Sequence, residues 1–320
     1  MDWIQPMEPI YSDTIATGEE WIYQIKWDGI RGLTYFNRST DKEQVRIFTK
    51  KGRQRTEFYP ELHPINDMIT GDSAVLDGEL VVLGEDSKPS FHSSLIRERV
   101  SNPDRLPYYI KNYPVIYIIF DILYYNGRLL TALPLWERQG ILRDCLKTDS
   151  NIAIAQSYMD GPGLFDVMKK KNWEGIISKK RSSLYHPAKK HRDWFKHKTL
   201  KKMLAAVCGV QWKNEFPNSL ILGILQESNW IFIGKASSGL TQDDWQQIME
   251  YALKHKVQVP PFKETGQFKR QQVTWLNPLL TCWIRFLEWT NEGVLRNPTI
   301  LGFSDSPVEQ AAGKEWSINE

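Results

Sequence analysis

Apolar and polar residues follow two rhythms in the first two hundred positions. Some stretches alternate every second residue, and others repeat every three to four. Trp21 to Lys26 alternates, with Ile22 and Gln24 on one face and Trp21, Tyr23 and Ile25 on the other, which predicts a strand. Arg31 to Phe36 and Gln44 to Thr49 predict the next two strands, joined by a polar turn at Asn37 to Lys42. Glu57 to Leu62 leads into a predicted short helix through Met68. Ser73 to Leu83 and Pro114 to Tyr124 are rich in β-branched and aromatic residues and read as buried strands. Leu135, Ile141, Leu142 and Cys145 sit at helical spacing, so Pro134 to Leu146 is expected to be a helix. A second helix is expected from about Gly163 to Lys171, and then a strand at Ile176-Ile177.

The pattern changes near Lys201. Beyond it come short predicted strands at Ala205 to Trp212, Ser219 to Leu225 and Trp230 to Lys235, with a hairpin turn at Glu227-Ser228-Asn229. One helix, Thr241 to Lys254, interrupts them, with Asp243-Asp244 near its start. Gln272 to Leu276 and Leu280 to Trp289 return to strand. At ~150 residues per domain, 320 residues suit two domains. The expected division is residues 1–200 and 201–320, an α+β chain whose second part fits a small barrel such as an OB-fold.

Composition adds exclusions. Hydrophobic residues at 41% and charged residues at 25% exclude a disordered, collagen-like or coiled-coil chain. The longest apolar run, Val115 to Tyr125, already contains Asp121, so no membrane span is expected. Met1-Asp2-Trp3 opens no signal peptide. Cys145, Cys208 and Cys282 are too far apart for a metal motif, which suits a reducing cytosol. The net charge is only +3, but ten Lys/Arg and a single acid, Asp193, fall between Lys179 and Lys202. Such a field attracts phosphate or a polyanion; a solvated basic face is the plain alternative.

Five short patterns can carry chemistry. In Lys26-Trp27-Asp28-Gly29-Ile30-Arg31, a strand-end lysine precedes a turn, and Arg31 is a cationic neighbour able to favour its free amine. In Leu76-Asp77-Gly78-Glu79, Glu79 enters an apolar strand, where a carboxylate needs a partner or a metal. Asp121 needs a partner in its apolar strand, and Phe120 is either core or a stacking face for a base. Glu174-Gly175-Ile176-Ile177-Ser178-Lys179 repeats the acid-Gly entry into a strand. In Trp194-Phe195-Lys196-His197-Lys198, two lysines share a strand face, as they would around a phosphate. Taken singly, each also reads as an ordinary turn, core position or solvated strand.

Their order resembles the motif series of the covalent nucleotidyltransferases: ATP-dependent DNA ligases, RNA ligases and capping enzymes. The resemblance runs from Trp21 to Lys198 and, more weakly, to Phe303. It is closest to the ligase domain of bacterial ligase D. Ile231-Phe232-Ile233-Gly234, Gly239-Leu240-Thr241, Phe286-Leu287-Glu288-Trp289-Thr290, Leu295-Arg296-Asn297-Pro298 and Leu301-Gly302-Phe303 are similar to that group.

The resemblance implies a nucleotidyltransferase (ATP-grasp-like adenylation) domain with antiparallel sheets, followed by an OB-fold barrel. It implies that Lys26 attacks the α-phosphate of ATP and releases pyrophosphate, holds AMP through a phosphoramidate and passes it to a 5′-phosphate, from which a 3′-hydroxyl then displaces AMP. It places Gln24, Ile25, Arg31, Lys50, Glu79, Phe120, Lys190, Lys196 and Lys198 with Lys26 around ATP. Glu79 and Glu174 would serve Mg²⁺ (or Mn²⁺). Lys180, Arg181, Lys189, Lys201 and Lys202 are expected on the DNA backbone. Asp77 and Asp121 are expected to be structural. The implied setting is a cytoplasmic, nucleoid-associated monomer in DNA repair or end joining. Its partners would be nicked or broken duplex DNA and a Ku-type end-binding protein.

The chain departs from the family pattern at four places. Gln24 replaces a glutamate, Thr49-Lys50-Lys51-Gly52 replaces Ser-Arg-Asn-Gly, and Lys190 stands where arginine is common. Phe303-Ser304-Asp305-Ser306 replaces a closing Arg-x-Asp-Lys, which bears on the rate of self-adenylation. Two rivals are a capping-type guanylyltransferase, which would take GTP, and a DNA-end-binding protein with a degraded nucleotide site.

Overall fold

Contacts divide the chain into two units, Met1–Thr199 and Leu200–Glu320. The computed structural model describes residues 3–39, 44–84, 86–268, 271–290 and 292–317.

The first unit is built on two sheets. Strands β1 (Glu8–Tyr11), β2 (Trp21–Ile25), β3 (Ile30–Asn37) and β4 (Val45–Thr49) precede helix α1 (Ile65–Met68). Then come β5 (Ser73–Val82), α2 (Phe91–Glu98), α3 (Leu106–Asn112), β6 (Val115–Tyr125), β7 (Arg128–Leu129) and α4 (Leu135–Cys145). The unit closes with β8 (Ile152–Ile154), α5 (Gly161–Lys170), β9 (Gly175–Lys180) and β10 (Lys190–Lys198). The smaller sheet has the order β1-β10-β9-β2, with β1 parallel to β10 and the other pairs antiparallel. The larger runs β4-β3-β5-β6-β7, with β8 parallel to β6.

The central strands β5 and β6 are buried on both faces, so they read as almost continuous apolar runs. One face of the large sheet packs on helices through Leu76, Tyr117, Ile119, Leu142 and Cys145. Its other face meets the small sheet through Ile22, Leu33, Val75, Leu123 and Trp194. Helix α5 covers the far side of the small sheet, where Tyr23 and Ile176 meet Leu164 and Met168. A residue whose side chain enters the seam between the sheets therefore leaves water, whether or not it is apolar.

The second unit holds β11 (Lys201–Lys213), β12 (Phe216–Gln226), β13 (Asn229–Ala236), α6 (Gln242–His255) and β14 (Lys256–Val257). Four strands follow: β15 (Gln272–Leu276), β16 (Thr281–Phe286), β17 (Thr299–Ser304) and β18 (Glu315–Ser317). Strand β11 changes neighbours along its length. Its first half pairs with β16 and β18, and its second half with β12 and β15. Thr241 and Asp244 cap α6 reciprocally, which satisfies its first free N–H groups. Ile248 and Ala252 then face the sheet core.

Several elements differ from the pattern-based reading. The short helix expected through Met68 is present as Ile65–Met68, and the segment leading into it forms two 3₁₀ turns, Thr56–Phe58 and Pro60–Leu62. The paired prolines Pro60 and Pro64 remove the N–H groups a continuous helix would use there. The last expected strand stops at Phe286. Strands β1, β7, β8, β14, β17 and β18 and helices α2 and α3 are additional. Of the turn expected at Asn37 to Lys42, residues 40–42 lie outside the described residues.

Candidate active site

A cavity of about 240 Å³ opens along the seam between the sheets. Its wall includes Gln24, Ile25, Lys26, Arg31, Lys50, Glu79, Phe120, Lys196 and Lys198. Nine of the ten residues expected around a nucleotide thus share one wall. Lys190 is exposed at the start of β10 and is not in it.

Lys26 follows the last residue of β2, and its N–H donates to the Gly175 carbonyl at 2.9 Å. That contact joins the two glycine motifs. Gly175 has φ +134°, and a Cβ there would lie 1.9 Å from the His197 carbonyl oxygen. At Gly29, a Cβ would lie 2.3 Å from the Leu80 carbonyl oxygen. Both positions require glycine because backbone passes where a side chain would stand.

The Lys26 ammonium donates to Glu174 at 2.5 Å, and Lys198 reaches the other carboxylate oxygen at 3.1 Å. Burial alone would raise the Glu174 pKa, but Lys26 and Lys198 outweigh it and hold the carboxyl below its usual range. The charge touching Lys26 is therefore a carboxylate, not the arginine expected from the sequence. Arg31 is instead clamped in a bidentate pair with Asp77, at 2.5 and 2.6 Å. Asp77 is fully buried and also accepts from the Tyr185 hydroxyl at 2.6 Å.

Arg31 in turn lies 4.6 Å from the centroid of Phe120. Phe120 is half-buried in the cavity wall, and its ring meets Trp194 edge-on at 6.5 Å. Gln24 is buried, and its amide nitrogen donates to Ser157 at 3.2 Å and Ala155 at 3.4 Å. That orientation commits its N–H groups and leaves the carbonyl as the acceptor.

Glu79 stands opposite Arg31 in the β3–β5 register. Burial raises its pKa from 4.5 to about 7, against the lowering effects of Arg31 and Lys26. Lys196 shifts the opposite way: burial lowers its pKa, and the like charges of Lys198 and Lys26 lower it further. Clustered ammoniums of this kind gain most from a polyanion placed among them.

Two charged wall residues were not singled out as binding residues from the sequence. Glu8, on β1, pairs with Lys50 at 2.6 Å. Burial would raise its pKa, but Lys50, Lys190 and Lys196 bring it below the usual range. Lys179 belongs to the basic stretch, yet it turns inward and is only 2% exposed. Its ammonium lies 4.2 Å from the centroids of both Phe120 and Trp194 and has no hydrogen-bond partner. Burial brings its pKa down from 10.5 to about 7. The motif ending in Lys179 marked the position, but only strand pairing reveals that it faces inward.

The remaining basic residues are spread over both units. Lys180 ends β9 half-buried, and Lys189 is exposed on the following connection. Arg181 is exposed and donates to the Glu19 carbonyl at 3.4 Å. In the second unit, Lys201 pairs with Glu315 at 2.8 Å, and Lys202 lies 5.9 Å from the Trp283 ring centroid. Lys201 is thus tied by an ion pair that the sequence did not suggest. Asp121 is fully buried and binds Arg138 through two hydrogen bonds of 2.8 Å.

The chain matches two family models, the ATP dependent DNA ligase domain over residues 5–198 and the ATP dependent DNA ligase C terminal region over residues 213–306. It is 28% identical over 288 residues to the multifunctional non-homologous end joining DNA repair protein LigD of Mycobacterium tuberculosis, strain H37Rv. That match covers 88% of this chain and 36% of the relative, so the chain spans about a third of that relative's length. A solved mycobacterial DNA ligase D complexed with ATP and MES is similar at a TM-score of 0.54 and 26% identity, covering 96% of this chain and 97% of that one. A Lig E DNA ligase structure has the same fold at a TM-score of 0.62 and 15% identity, covering 95% of this chain and all of that one.

Proposed function

Because the chain belongs to the ATP-dependent DNA ligase family, we propose that it seals 5′-phosphate/3′-hydroxyl breaks in duplex DNA through AMP carried on Lys26. The observation that carries this reading is the Lys26 amine in a cavity that also holds an aromatic wall and four further lysines. Phosphoryl transfer asks little covalent help beyond a nucleophile; it asks for position and positive charge.

In this reading Phe120 stacks on the adenine, and the Gln24 carbonyl accepts from the adenine amino group. Lys196 and Lys198 neutralise the α-phosphate, and Arg31, fixed by Asp77, presents its outer edge to the ribose. Attack needs the free amine of Lys26, so its contact with Glu174 has to be given up. Lys198 remains to hold the Glu174 carboxylate.

Glu79 and Glu174 fit a divalent cation. They offer hard carboxylate oxygens, and Glu79 is desolvated enough for its pKa to reach about 7. Mg²⁺ or Mn²⁺, when bound, would add charge neutralisation at the phosphates. The half-buried Lys180 and the exposed Arg181 and Lys189 suit DNA backbone contacts. Among the described residues, no helix is long and apolar enough to cross a membrane. Similarity to LigD proteins supports a place in end joining, where a Ku-type protein would deliver the ends; the second unit is assigned as the OB-type domain.

Incubation with labelled ATP or GTP, then with a nicked duplex, tests the proposal. ATP should label the protein and GTP should not, and the label should pass to DNA. Lys26→Ala should abolish labelling. GTP labelling would favour a capping-type enzyme; DNA binding with no labelling would favour an end-binding protein. Label on a different lysine would defeat the assignment of Lys26.

A further inference from the structure

The connection from β9 to β10 and the start of β10 carry a side-chain cluster that the ligase reading leaves unused. His186, His191 and Asp193 are half-buried, and none of them lines the nucleotide cavity. Their ligand-capable atoms all lie within 4.8 Å of one another. The Asp193 carboxylate is 3.2 Å from His191 Nδ1 and 3.8 Å from His186 Nε2. The two imidazoles stack with centroids 4.0 Å apart and planes 27° apart.

We propose that His186, His191 and Asp193 form a binding site for a divalent transition-metal ion of the zinc class, separate from the carboxylates that serve the nucleotide. Two imidazole nitrogens and one carboxylate oxygen make a three-ligand set with room for water, the donor balance zinc takes when a coordination position stays open. Ligands about 2.0 Å from a tetrahedral ion stand roughly 3.3 Å apart, so modest side-chain movement turns this cluster into a site. Imidazole donors select zinc, cobalt or nickel over magnesium.

The charge pattern points the same way. Asp193 is the one acid among ten basic residues from Lys179 to Lys202. Among the described residues, its carboxylate pairs with the two histidines and not with a lysine or arginine.

The backbone beneath each ligand is fixed. The His186 N–H donates to Met7 Sδ at 3.3 Å, and its carbonyl accepts from the Lys189 N–H at 3.2 Å. His191 pairs in register with Pro9 of β1, and Asp193 precedes the buried Trp194. A bound ion would therefore tie the turn at His186 to the start of β10. The segment it closes carries Lys189 and Lys190.

This inference does not depend on the ligase reading, and its test needs no activity. Full-length protein, stripped with chelator and held in excess Mg²⁺ to saturate hard oxygen sites, is titrated with ZnCl₂ by calorimetry and with CoCl₂ by visible absorption. One equivalent of Zn²⁺ should bind with micromolar or tighter affinity. Co²⁺ should give d–d bands without a thiolate charge-transfer band, which excludes the cysteines. At a 100-fold excess over Kd, Zn²⁺ should raise the melting temperature by about 5 °C.

His186→Ala, His191→Ala and Asp193→Asn should each weaken Zn²⁺ binding by at least about tenfold. Asp193→Asn preserves side-chain volume, and circular dichroism will report which variants fold. If His191→Ala does not fold, the other two carry the comparison. Absence of saturable Zn²⁺ binding overturns the proposal. So does unchanged affinity with an unchanged Co²⁺ spectrum in folded His186→Ala and Asp193→Asn.

Discussion

Asp121 directly follows the proposed adenine-stacking residue, which invites a catalytic role, but its environment predicts a structural one. Both partners of the Asp121–Arg138 pair are fully buried. Besides the two bonds to Asp121, Arg138 donates to the carbonyls of Leu133 at 2.5 Å and Ser183 at 3.0 Å. Asp121 also accepts from the Ile122 N–H at 2.9 Å. The pair thus pins β6 to α4 and to the chain beyond β9. Asp121→Asn keeps the shape but leaves Arg138 as an uncompensated buried charge, which costs about 3–5 kcal/mol. For a unit of this size, that lowers the melting temperature by roughly 10 °C. The assay compares thermal unfolding with single-turnover adenylation at a temperature where both proteins are folded; the rate should change by less than about tenfold, or ~1.4 kcal/mol. Replacing both partners, as Asp121→Leu with Arg138→Met, should recover part of the stability because no charge is stranded. A variant that melts like the wild type yet adenylates a hundredfold more slowly would move Asp121 into the chemistry and refute this reasoning.

Four further outcomes follow, three of them from the cavity. Phe120→Ala should weaken ATP use by about one to two decades, the ~1–3 kcal/mol of a base–aromatic stack, while Phe120→Tyr is tolerated; unfolding with unchanged specific activity would mark Phe120 as core instead. Lys196→Ala should impair AMP labelling without DNA at every salt concentration. Lys180→Ala with Lys189→Ala should preserve labelling but reduce the slope of log affinity against log salt by about two, as measured by nick binding. Glu79 and Lys179 give opposite stability profiles. Glu79 is raised from 4.5 to about 7, so the native state holds the extra proton and stability falls as pH rises across that window. Lys179 is lowered from 10.5 to about 7, so the unfolded state holds the extra proton and stability rises from pH 7 to 10.5. Denaturant titrations of Glu79→Gln and Lys179→Met across pH should flatten the first and second slopes respectively; an unchanged profile in either variant would show that group to be ordinarily solvated.

What the sequence made legible was what local spacing controls. Strand β2 was visible from its alternation, and Lys26 was placed at its end because Asp28-Gly29 follows. The motif glycines at 29 and 175 signalled close backbone approach, which the Leu80 and His197 carbonyls provide. Spacing also required a partner for Asp121, but Arg138 lies a helix away, and nothing in either residue's neighbourhood names the other. Glu8 illustrates the limit more fully. Its place beside Lys50 depends on β1 pairing in parallel with β10, some 180 residues later, and parallel pairing leaves no turn signature between the strands. Lys179 and Lys180 are chemically identical neighbours in sequence, so composition assigns both to a basic surface. Pairing of β9 between β2 and β10 turns one into the seam and the other outward. The inward lysine is the one held over Phe120 without a hydrogen bond. A lysine counted as surface charge therefore stands beneath the proposed adenine platform, and its charge at neutral pH is set by burial rather than by solvent.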